Sequence, residues 1–335
     1  MPQLLKRSLK IIICLICSII ISQQFIYSQT YPSPLSSEGG VDTHLYKCDT
    51  VMFEATALED GSCKIEERTF YAGLSMLHSP YLSIFYIPLK YDLNNYFRII
   101  FSLPYLTKTL VYNDTHYIKS GYGDTMLGFT GSFSPFNAFT SSTTARMTLP
   151  TGNVNAQDFD YYIPMGYGGY ITSIQESIST GNFNIGFTNM RLFMSGIYIY
   201  YFTSTQKADT SEKFTFDRTY SWSVMGGVEL VLTTNLNIQF KTNYIFIPER
   251  KYKSSSSQGE WTEADDSIRQ INVLPFIKYR FLDDITGQAG LIYPVKTTQD
   301  SEVSHSYEPE WKIAWGVEKK FCDRNSSSGK QKTKI

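Results

Sequence analysis

An alternation of apolar and polar residues recurs along most of this chain and constrains its fold more than any other feature. It is clearest within residues 236–246, where Ile238 and Phe240 lie on either side of Gln239. Because successive side chains on a strand point to opposite faces, such a segment has one apolar face and one polar face. The same pattern returns in other segments, including 97–105 and 285–295. This repetition predicts an all-β protein.

The amino end has the pattern of a secretory signal peptide. Lys6 and Arg7 precede an apolar stretch over 11–21, and cleavage is expected after Ser28 or Ser22. The cut after Ser28 gives a signal peptide over 1–28. The alternative is a retained membrane anchor, although the apolar core is short for a membrane span. The chain is therefore expected to be exported.

Export, alternation and aromatic content together indicate a membrane barrel. Aromatic residues make up 15% of the chain, and its net charge is −1, which gives no indication of a nucleic-acid partner. Tyrosine suits a wall that meets lipid along its length and water at its rims. We predict a transmembrane antiparallel up-and-down β-barrel in the outer membrane of a Gram-negative type of envelope, with outer-membrane lipid as a partner.

Twelve segments carry the strand pattern, an even number that is typical of single-chain bacterial barrels. They are 69–77, 81–92, 95–106, 121–133, 139–150, 166–178, 182–202, 217–233, 235–248, 268–282, 285–296 and 308–321. The long segment 182–202 is expected to protrude or to contain a bulge between Asn189 and Met194.

The connections give the predicted orientation. Tight turns alternate with longer polar links at 107–120, 151–165, 203–216, 249–267 and 297–307. Barrels of this class have short periplasmic turns and long outer loops, so both termini are expected in the periplasm. The predicted domains are a periplasmic lead or plug at 29–67, the barrel at 68–321 and a disordered periplasmic tail at 322–335.

The last predicted strand ends on an aromatic residue, Phe321, and carries an apolar face with Trp315 and Val317. It resembles the carboxy-terminal insertion signal of outer-membrane barrels, which implies the barrel-assembly machinery as a partner. Ahead of the barrel, Cys48 and Cys63 are candidates for a disulfide, although spacing alone does not fix the geometry. The cysteines indicate no metal site, and no cofactor is expected.

Two short motifs lie where neighbouring strands are predicted to meet the outer surface. One strand begins with Gly121, Gly123 and Asp124, and the next strand ends with a Leu-Pro-x-Gly sequence that contains Pro150, Thr151 and Gly152. These motifs resemble those of the outer-membrane transporter family associated with the MetA pathway of phenol degradation. The resemblance implies an outer-membrane channel for small organic or aromatic compounds.

The same motif residues also have a purely structural interpretation. Glycine relieves crowding at a strand start, and the Asp124 carboxylate can accept hydrogen bonds from a loop. Pro150 lacks an amide donor and Gly152 permits a turn, so together they end the strand pairing. A gate or a solute contact at the mouth is the functional alternative. The chain departs from the family at 153–162, where a Gly-Asp-rich run is usual.

The alternation also assigns charged residues to the lumen, because Lys or Arg facing lipid at mid-depth costs about 2–4 kcal/mol. Arg146 and Lys241 are expected high in the lumen, above a group near the periplasmic end that comprises Arg98, Glu229, Lys278, Arg280 and Glu318. One interpretation is a salt-bridge network across the lumen that stiffens the wall. The other is a constriction formed by Arg146 and Lys241 that favours anions or polar solutes.

These features are compatible with three functions. The leading one is passive diffusion of small solutes through a narrow polar lumen. The second is a plugged structural or surface-interaction barrel without transport. The third is an outer-membrane hydrolase, which the histidines do not favour because His78-Ser79 and His305-Ser306 are adjacent pairs whose side chains point to opposite faces. We therefore expect no enzyme activity.

Overall fold

The computed structural model describes most of the chain between Thr69 and Cys322. The residues outside it are 1–68, 81, 95, 113–114, 137–138, 154–156, 159–160, 163–164, 187, 208–212, 256–261, 266, 300–310 and 323–335. The predicted signal peptide, lead segment, tail and Cys48–Cys63 pairing lie outside the described residues. The barrel belongs to one compact unit.

The described residues form strands that run from Thr69 to Cys322. They are β1 (Thr69–His78), β2 (Leu82–Asp92), β3 (Phe97–Tyr112), β4 (Thr115–Tyr122), β5 (Thr125–Phe136), β6 (Phe139–Leu149), β7 (Gln157–Asp158), β8 (Tyr161–Tyr162), β9 (Ile171–Thr180), β10 (Phe183–Asn184), β11 (Asn189–Tyr201), β12 (Ser204–Lys207), β13 (Lys213–Phe216), β14 (Thr219–Val231), β15 (Leu236–Ile247), β16 (Arg250–Ser254), β17 (Thr262–Asp265), β18 (Ile268–Leu282), β19 (Ile285–Gln299) and β20 (Lys312–Cys322). No helix in the described part of the chain is long and apolar enough to cross a membrane.

Twelve of these strands close into an antiparallel barrel. The order around the ring is β1, β2, β3, β5, β6, β9, β11, β14, β15, β18, β19 and β20. β20 pairs with β1 from Thr69↔Cys322 to His78↔Ile313, which closes the ring. The prediction of an all-β barrel of about twelve strands is confirmed. The boundaries also agree closely, since β18 coincides with the predicted segment 268–282.

Alternate residues of each barrel strand face opposite sides of the wall, as the sequence pattern predicts. On β15, Phe240 is 52% exposed, whereas the adjacent Gln239 is only 2% exposed. We call the side that carries exposed apolar residues the exterior face and the side that carries buried polar residues the interior face. The hydrophobic residues of β15 that were expected to face lipid, such as Ile238 and Phe240, lie on the exterior face.

The connections differ at the two ends of the barrel. The end with the short connections, such as Leu282 to Ile285 and Val231 to Leu236, is called the turn end, and the opposite one the loop end. At the loop end, the predicted links 203–216 and 249–267 contain β12, β13, β16 and β17, which form a separate four-stranded sheet. The predicted link 107–120 is likewise replaced by a hairpin of β3 with β4.

Two details of the predicted strands are wrong, namely the bulge and the single strand over 182–202. The bulge expected between Asn189 and Met194 is absent, because β11 pairs with β14 without a register shift from Asn189 to Tyr201. The excess length of 182–202 is explained by β10, which folds back on the start of β11, with Gly186 at φ 98° in the connection. A left-handed backbone conformation of this kind suits glycine, and it lets the chain reverse before β11 begins.

Apolar interior side chains concentrate at the loop end and the middle of the barrel. One buried cluster contains Leu77, Leu82, Ile84, Leu106, Met165, Leu274, Phe276, Ile292 and Ala314. Two smaller clusters contain Tyr167, Ile171, Ile197, Ile199 and Tyr201, and Ile245, Ile247 and Ile268. The interior is therefore apolar toward the loop end, while most of its charged side chains lie closer to the turn end.

Candidate functional site

Ion pairs follow the interior wall near the turn end. Arg98 Nε donates to Asp92 Oδ1 at 2.5 Å and Arg98 Nη2 to Asp92 Oδ2 at 3.2 Å, between register partners on β2 and β3. Lys90 Nζ lies 2.6 Å from Glu318 Oε2, although β1 separates their strands. Gly73, the register partner of Glu318 on β1, has no side chain to intervene. These pairs join strands that are adjacent or one strand apart, so they run along the wall.

A second charged group surrounds Glu229 on β14. Its Oε1 accepts hydrogen bonds from Asn237 Nδ2 at 2.9 Å and Gln239 Nε2 at 3.1 Å. Its Oε2 lies 3.9 Å from Nη1 of Arg191 on β11. Lys278 of β18 is buried at 3% exposure and interacts electrostatically with the same carboxylate. Glu229 is thus held by neighbours on both sides of its strand.

Lys241 lies in the middle of β15 and is held by aromatic rings. Its Nζ lies 4.7 Å from the centre of the Phe276 ring and 5.7 Å from the centre of the Phe193 ring. Gly227, its register partner on β14, makes room for this arrangement, because a Cβ atom there would lie 2.8 Å from Cζ of Phe193. In the described part of the chain, no carboxylate lies within ion-pair distance of the Lys241 ammonium group.

Arg146 faces the interior from β6 and is 6% exposed. Its Nη2 donates to Oε1 of Gln175 on β9 at 3.0 Å. β9, β11 and β14 separate β6 from β15 around the ring, so the structure does not bring Arg146 and Lys241 into contact. Whether the two form one constriction stays a prediction, as do the roles of the other interior charges.

The Asp124 carboxylate fastens a connection at the loop end. Its Oδ1 accepts from Gly152 N at 2.8 Å and its Oδ2 from Tyr167 N at 2.5 Å. Gly166 packs so closely that a Cβ atom there would lie 2.5 Å from Asp124 Oδ1. The pKa of the Asp124 carboxyl is raised overall, because the effect of burial exceeds the opposing effects of the two backbone donors and Lys108. We call Asp124 with Gly152 and Tyr167 the latch.

The other motif residues lie beside the latch. Thr151 Oγ1 accepts from Thr125 N at 2.8 Å and donates to Gly123 O at 3.3 Å. Gly121 packs against Met165, since a Cβ atom there would lie 3.1 Å from Met165 Cγ. Pro150 directly follows β6, which ends at Leu149. The two predicted motifs therefore meet in space, and together they hold the connection that carries Met165.

The latched connection places two buried side chains at the loop end. Met165 is 1% exposed within the large apolar cluster, and Tyr167 is 2% exposed. Tyr167 is hydrogen-bonded to β12 and to the residues before it. The Tyr167 hydroxyl donates to Phe202 O at 2.9 Å, and the Tyr167 carbonyl accepts from Gln206 Nε2 at 3.0 Å. The latch thus holds apolar side chains inside the loop end of the barrel.

His78 has a partner that the sequence did not reveal. Its Nδ1 lies 2.7 Å from Ser83 Oγ, whereas Ser79 Oγ donates to Leu82 O at 3.4 Å. His78 and Ser83 are register partners on β1 and β2, on the exterior face. The described residues show no third hydrogen-bonding side chain on this imidazole.

Strand parity could have identified some residues that the sequence analysis missed. Lys90 and Asp92 occupy interior positions of β2, in the same alternation that placed Arg98. No sequence periodicity singles out Met165 or Tyr167, because they lie in a connection without strand pattern. Their role becomes visible only when the register brings Asp124 to them.

Comparison with solved structures relates the barrel to known outer-membrane proteins. An outer membrane channel from Pseudomonas putida F1 matches with a TM-score of 0.57 at 12% sequence identity, over 80% of this chain and 100% of that chain. The NanC porin matches with a TM-score of 0.43 at 10% identity, over 75% of this chain and 100% of that chain. The KdgM porin, in complex with disordered oligogalacturonate, matches with a TM-score of 0.33 at 8% identity, over 76% of this chain and 99% of that chain.

The sequence comparisons add no family. No family model matches the chain, and no curated protein is significantly similar to it. The structural likeness to the Pseudomonas putida channel supports the fold, at an identity too low to carry function across. The resemblance to the MetA-associated transporter family stays a prediction from the motifs.

Proposed function

We propose that this protein is an outer-membrane channel through which small solutes diffuse passively. The observation that carries the proposal is a closed ring of twelve strands with an apolar exterior face and a charged interior face. A closed ring satisfies every backbone hydrogen bond between strands, which is the condition for crossing a bilayer with strands. A charged interior enclosed by such a wall suits passage of polar solutes.

The interior charges favour anions in this proposal. Basic side chains outnumber acidic ones there, with Lys90, Arg98, Lys108, Arg146, Arg191, Lys241, Lys278 and Arg280 among the former and Asp92, Asp124, Glu229 and Glu318 among the latter. Fixed positive charge in a confined lumen attracts anions and repels cations. The apolar clusters toward the loop end would accept an organic group, in accord with the small organic or aromatic compounds that the motif resemblance implies.

The rest of the assignment follows from a location in the outer membrane. The exterior face would contact lipid, the barrel-assembly machinery would insert the chain, and both termini would lie in the periplasm with the turn end. Interior charges near the turn end would then meet a solute after it has passed the loop end. Arg146 and Lys241 lie at intermediate height and are our candidates for the selective constriction.

Conductance of the purified full-length protein in planar lipid bilayers tests the proposal. Discrete channel openings are expected, and a KCl gradient is expected to give a reversal potential of the sign for chloride preference. A protein that inserts and shows heat-modifiable folding, yet conducts no ions and releases no entrapped small organic anions from liposomes, would contradict the proposed function.

The plugged structural barrel remains the second candidate, because the latch favours a closed loop end. Met165 is buried among interior residues that include Leu106 and Phe276. If the parent protein is silent and a latch variant conducts, the channel is gated at this end. If both are silent, the structural interpretation is favoured.

A further inference from the structure

Aromatic side chains lie side by side on the exterior face, near the loop end of β11, β14 and β15. The centre of the Trp222 ring lies 5.4 Å from that of Tyr244 and 5.7 Å from that of Phe246. The Tyr198 and Tyr220 rings stack with their centres 5.8 Å apart. In membrane barrels, girdles of such rings lie at the level of the lipid headgroups. We call these five residues the loop-end girdle.

Arg269 lies beside this girdle on β18. It is the second residue of its strand, which begins at the loop end, and its side chain is exposed on the exterior face. The Arg269 guanidinium carbon lies 6.0 Å from the centre of the Phe246 ring. A guanidinium group presents five N–H donors in a fork that matches the oxygens of a phosphate group, and it also stacks on aromatic rings. A side chain that suits phosphate therefore lies at the level of the headgroups.

A bulge in β19 turns a second cation onto the same face. The register of β18 with β19 shifts between Ile271 and Asn272, where β19 contains the extra residue Val295. Without that residue, the alternation that places Tyr293 on the exterior face would place Lys296 inside the barrel. Bulges re-aim side chains in this way. Lys296 instead pairs with Ile271 and is exposed on the exterior face, near the loop end of β19.

Arg269 and Lys296 are close enough to share one ligand. Ile271, the register partner of Lys296, lies two residues after Arg269 on β18, so the two cations are diagonal neighbours on adjacent strands. The Cα atoms of diagonal neighbours lie about 7–8 Å apart. Both side chains are long and carry their charge at the tip, so both can extend to a single phosphate group between them.

The exterior face also carries a cation at the turn end, but that cation has a carboxylate beside it. Lys319 Nζ on β20 lies 5.3 Å from the centre of the Phe321 ring. The same nitrogen lies 3.6 Å from Asp284 Oδ2. For Lys296, in contrast, no carboxylate of the described residues lies within ion-pair distance. The chain therefore leaves the charge of Lys296 available to an anion from outside the chain.

We propose that Arg269 and Lys296 bind a phosphate group of the phosphorylated glycolipid in the outer leaflet. The inference rests on the proposed location in the outer membrane with the loop end outward, and it does not require conduction. Basic side chains at a membrane surface attract anionic headgroups. A lipid also meets more of this face than a free phosphate ion does. Val273 and its register partner Tyr293 are exposed on the turn-end side of the two cations, where acyl chains would pack.

Binding of bisphosphorylated lipid A to the purified full-length protein in detergent, measured by native mass spectrometry, tests the site. The double variant Arg269→Gln with Lys296→Gln is expected to bind this lipid about tenfold more weakly than the parent, or weaker still. Dephosphorylated lipid A should bind the parent as weakly as the intact lipid binds the double variant. The matched control Lys319→Gln also removes a cation from an aromatic ring and should bind as the parent does. Heat modifiability shows that each variant is folded.

A charge-preserving exchange, Arg269→Lys with Lys296→Arg, separates the role of charge from a loss of structure, and it is expected to retain most of the binding. The proposal would be overturned by equal affinities of the parent and the double variant, by equal affinities for the two lipids, or by an equal loss in Lys319→Gln. Displacement of the lipid by an equal concentration of inorganic phosphate would overturn the lipid as the occupant. Binding in detergent needs neither conduction nor a fixed orientation, so its failure is distinguishable from failure of the proposed function.

Discussion

The ammonium nitrogen of Lys241 lies 4.7 Å from the centre of the Phe276 ring, on the interior face of the barrel. A ring contact of this kind, unlike an ion pair with a carboxylate, brings no opposite formal charge beside the ammonium group. Lys90 and Arg98, by contrast, are each neutralised by an acidic partner. Lys241 therefore stays, with Arg146, a candidate for a cation that acts on a passing ion.

Reversing the charge of Lys241 and Arg146 should reverse the ion preference of the channel. The double variant Lys241→Glu with Arg146→Glu places negative charge at intermediate height, and confinement limits its screening by salt. We expect the reversal potential under a KCl gradient to move toward the value for potassium. The neutral variant Lys241→Gln with Arg146→Gln should give an intermediate value. An unchanged reversal potential in folded, conducting protein would exclude these residues from the constriction.

Two adjacent glycines of β14 should differ sharply in their tolerance of alanine. A Cβ atom at Gly227 would overlap Phe240 O and lie 2.8 Å from the Phe193 ring, whereas at Gly226 the nearest neighbour is Phe193 O at 3.9 Å. Gly227→Ala is expected to destabilise the barrel by about 1–3 kcal/mol through overpacking and to displace Lys241. Gly226→Ala should behave as the parent does. The urea midpoint for loss of heat-modifiable folding measures both, and equal midpoints would show that the contacts around Gly227 impose no constraint.

Removing the Asp124 carboxylate should release the loop-end connection. Asp124→Ala leaves the amides of Gly152 and Tyr167 without their acceptor, at a cost of about 1–3 kcal/mol for each buried donor. Chymotrypsin should then cleave after Tyr167 or Tyr170 at least tenfold faster than in the parent. Asp217→Ala is a suitable control, because that carboxylate accepts from the next backbone amide, Arg218 N, at an exposed position of the same barrel end. Similar cleavage of all three proteins would mean that other contacts hold the connection.

Labelling on intact cells should decide the orientation. Ser255 is exposed next to β16 at the loop end, and Asn235 is exposed in the turn before β15. An impermeant thiol reagent is expected to modify Ser255→Cys but not Asn235→Cys, with Cys322→Ser in both backgrounds. Modification of Asn235→Cys alone would place the turn end outside the cell.

Much of the barrel could be predicted from the sequence, because alternation encodes both the strand and its two faces. The burial of Gln239 beside the exposed Phe240 follows directly from that period of two. The four-stranded sheet at the loop end could not be predicted in this way. Its strands β12 and β17 have only four residues each, too few to show a period among polar residues.

The interior positions of Lys241 and Arg146 follow from parity, but their partners do not. Phe193 approaches Lys241 from two strands away, and that contact depends on the register across Gly227. The latch was anticipated only as an Asp124 carboxylate that accepts hydrogen bonds from a loop. Which amides donate could not be known, since Tyr167 N lies forty-three positions away in the chain.

The pair formed by Lys90 and Glu318 has a consequence for how the protein is made. It spans the seam where the first barrel strand meets the last, so the two partners are separated by most of the chain. Loop closure over such a distance is the slow, entropically costly step of folding a topology like this. The two residues cannot meet until β20 has been synthesised and brought beside β1. The ion pair therefore forms only in the final stage of assembly, after the ring closes, and no nascent chain that ends before Glu318 can contain it.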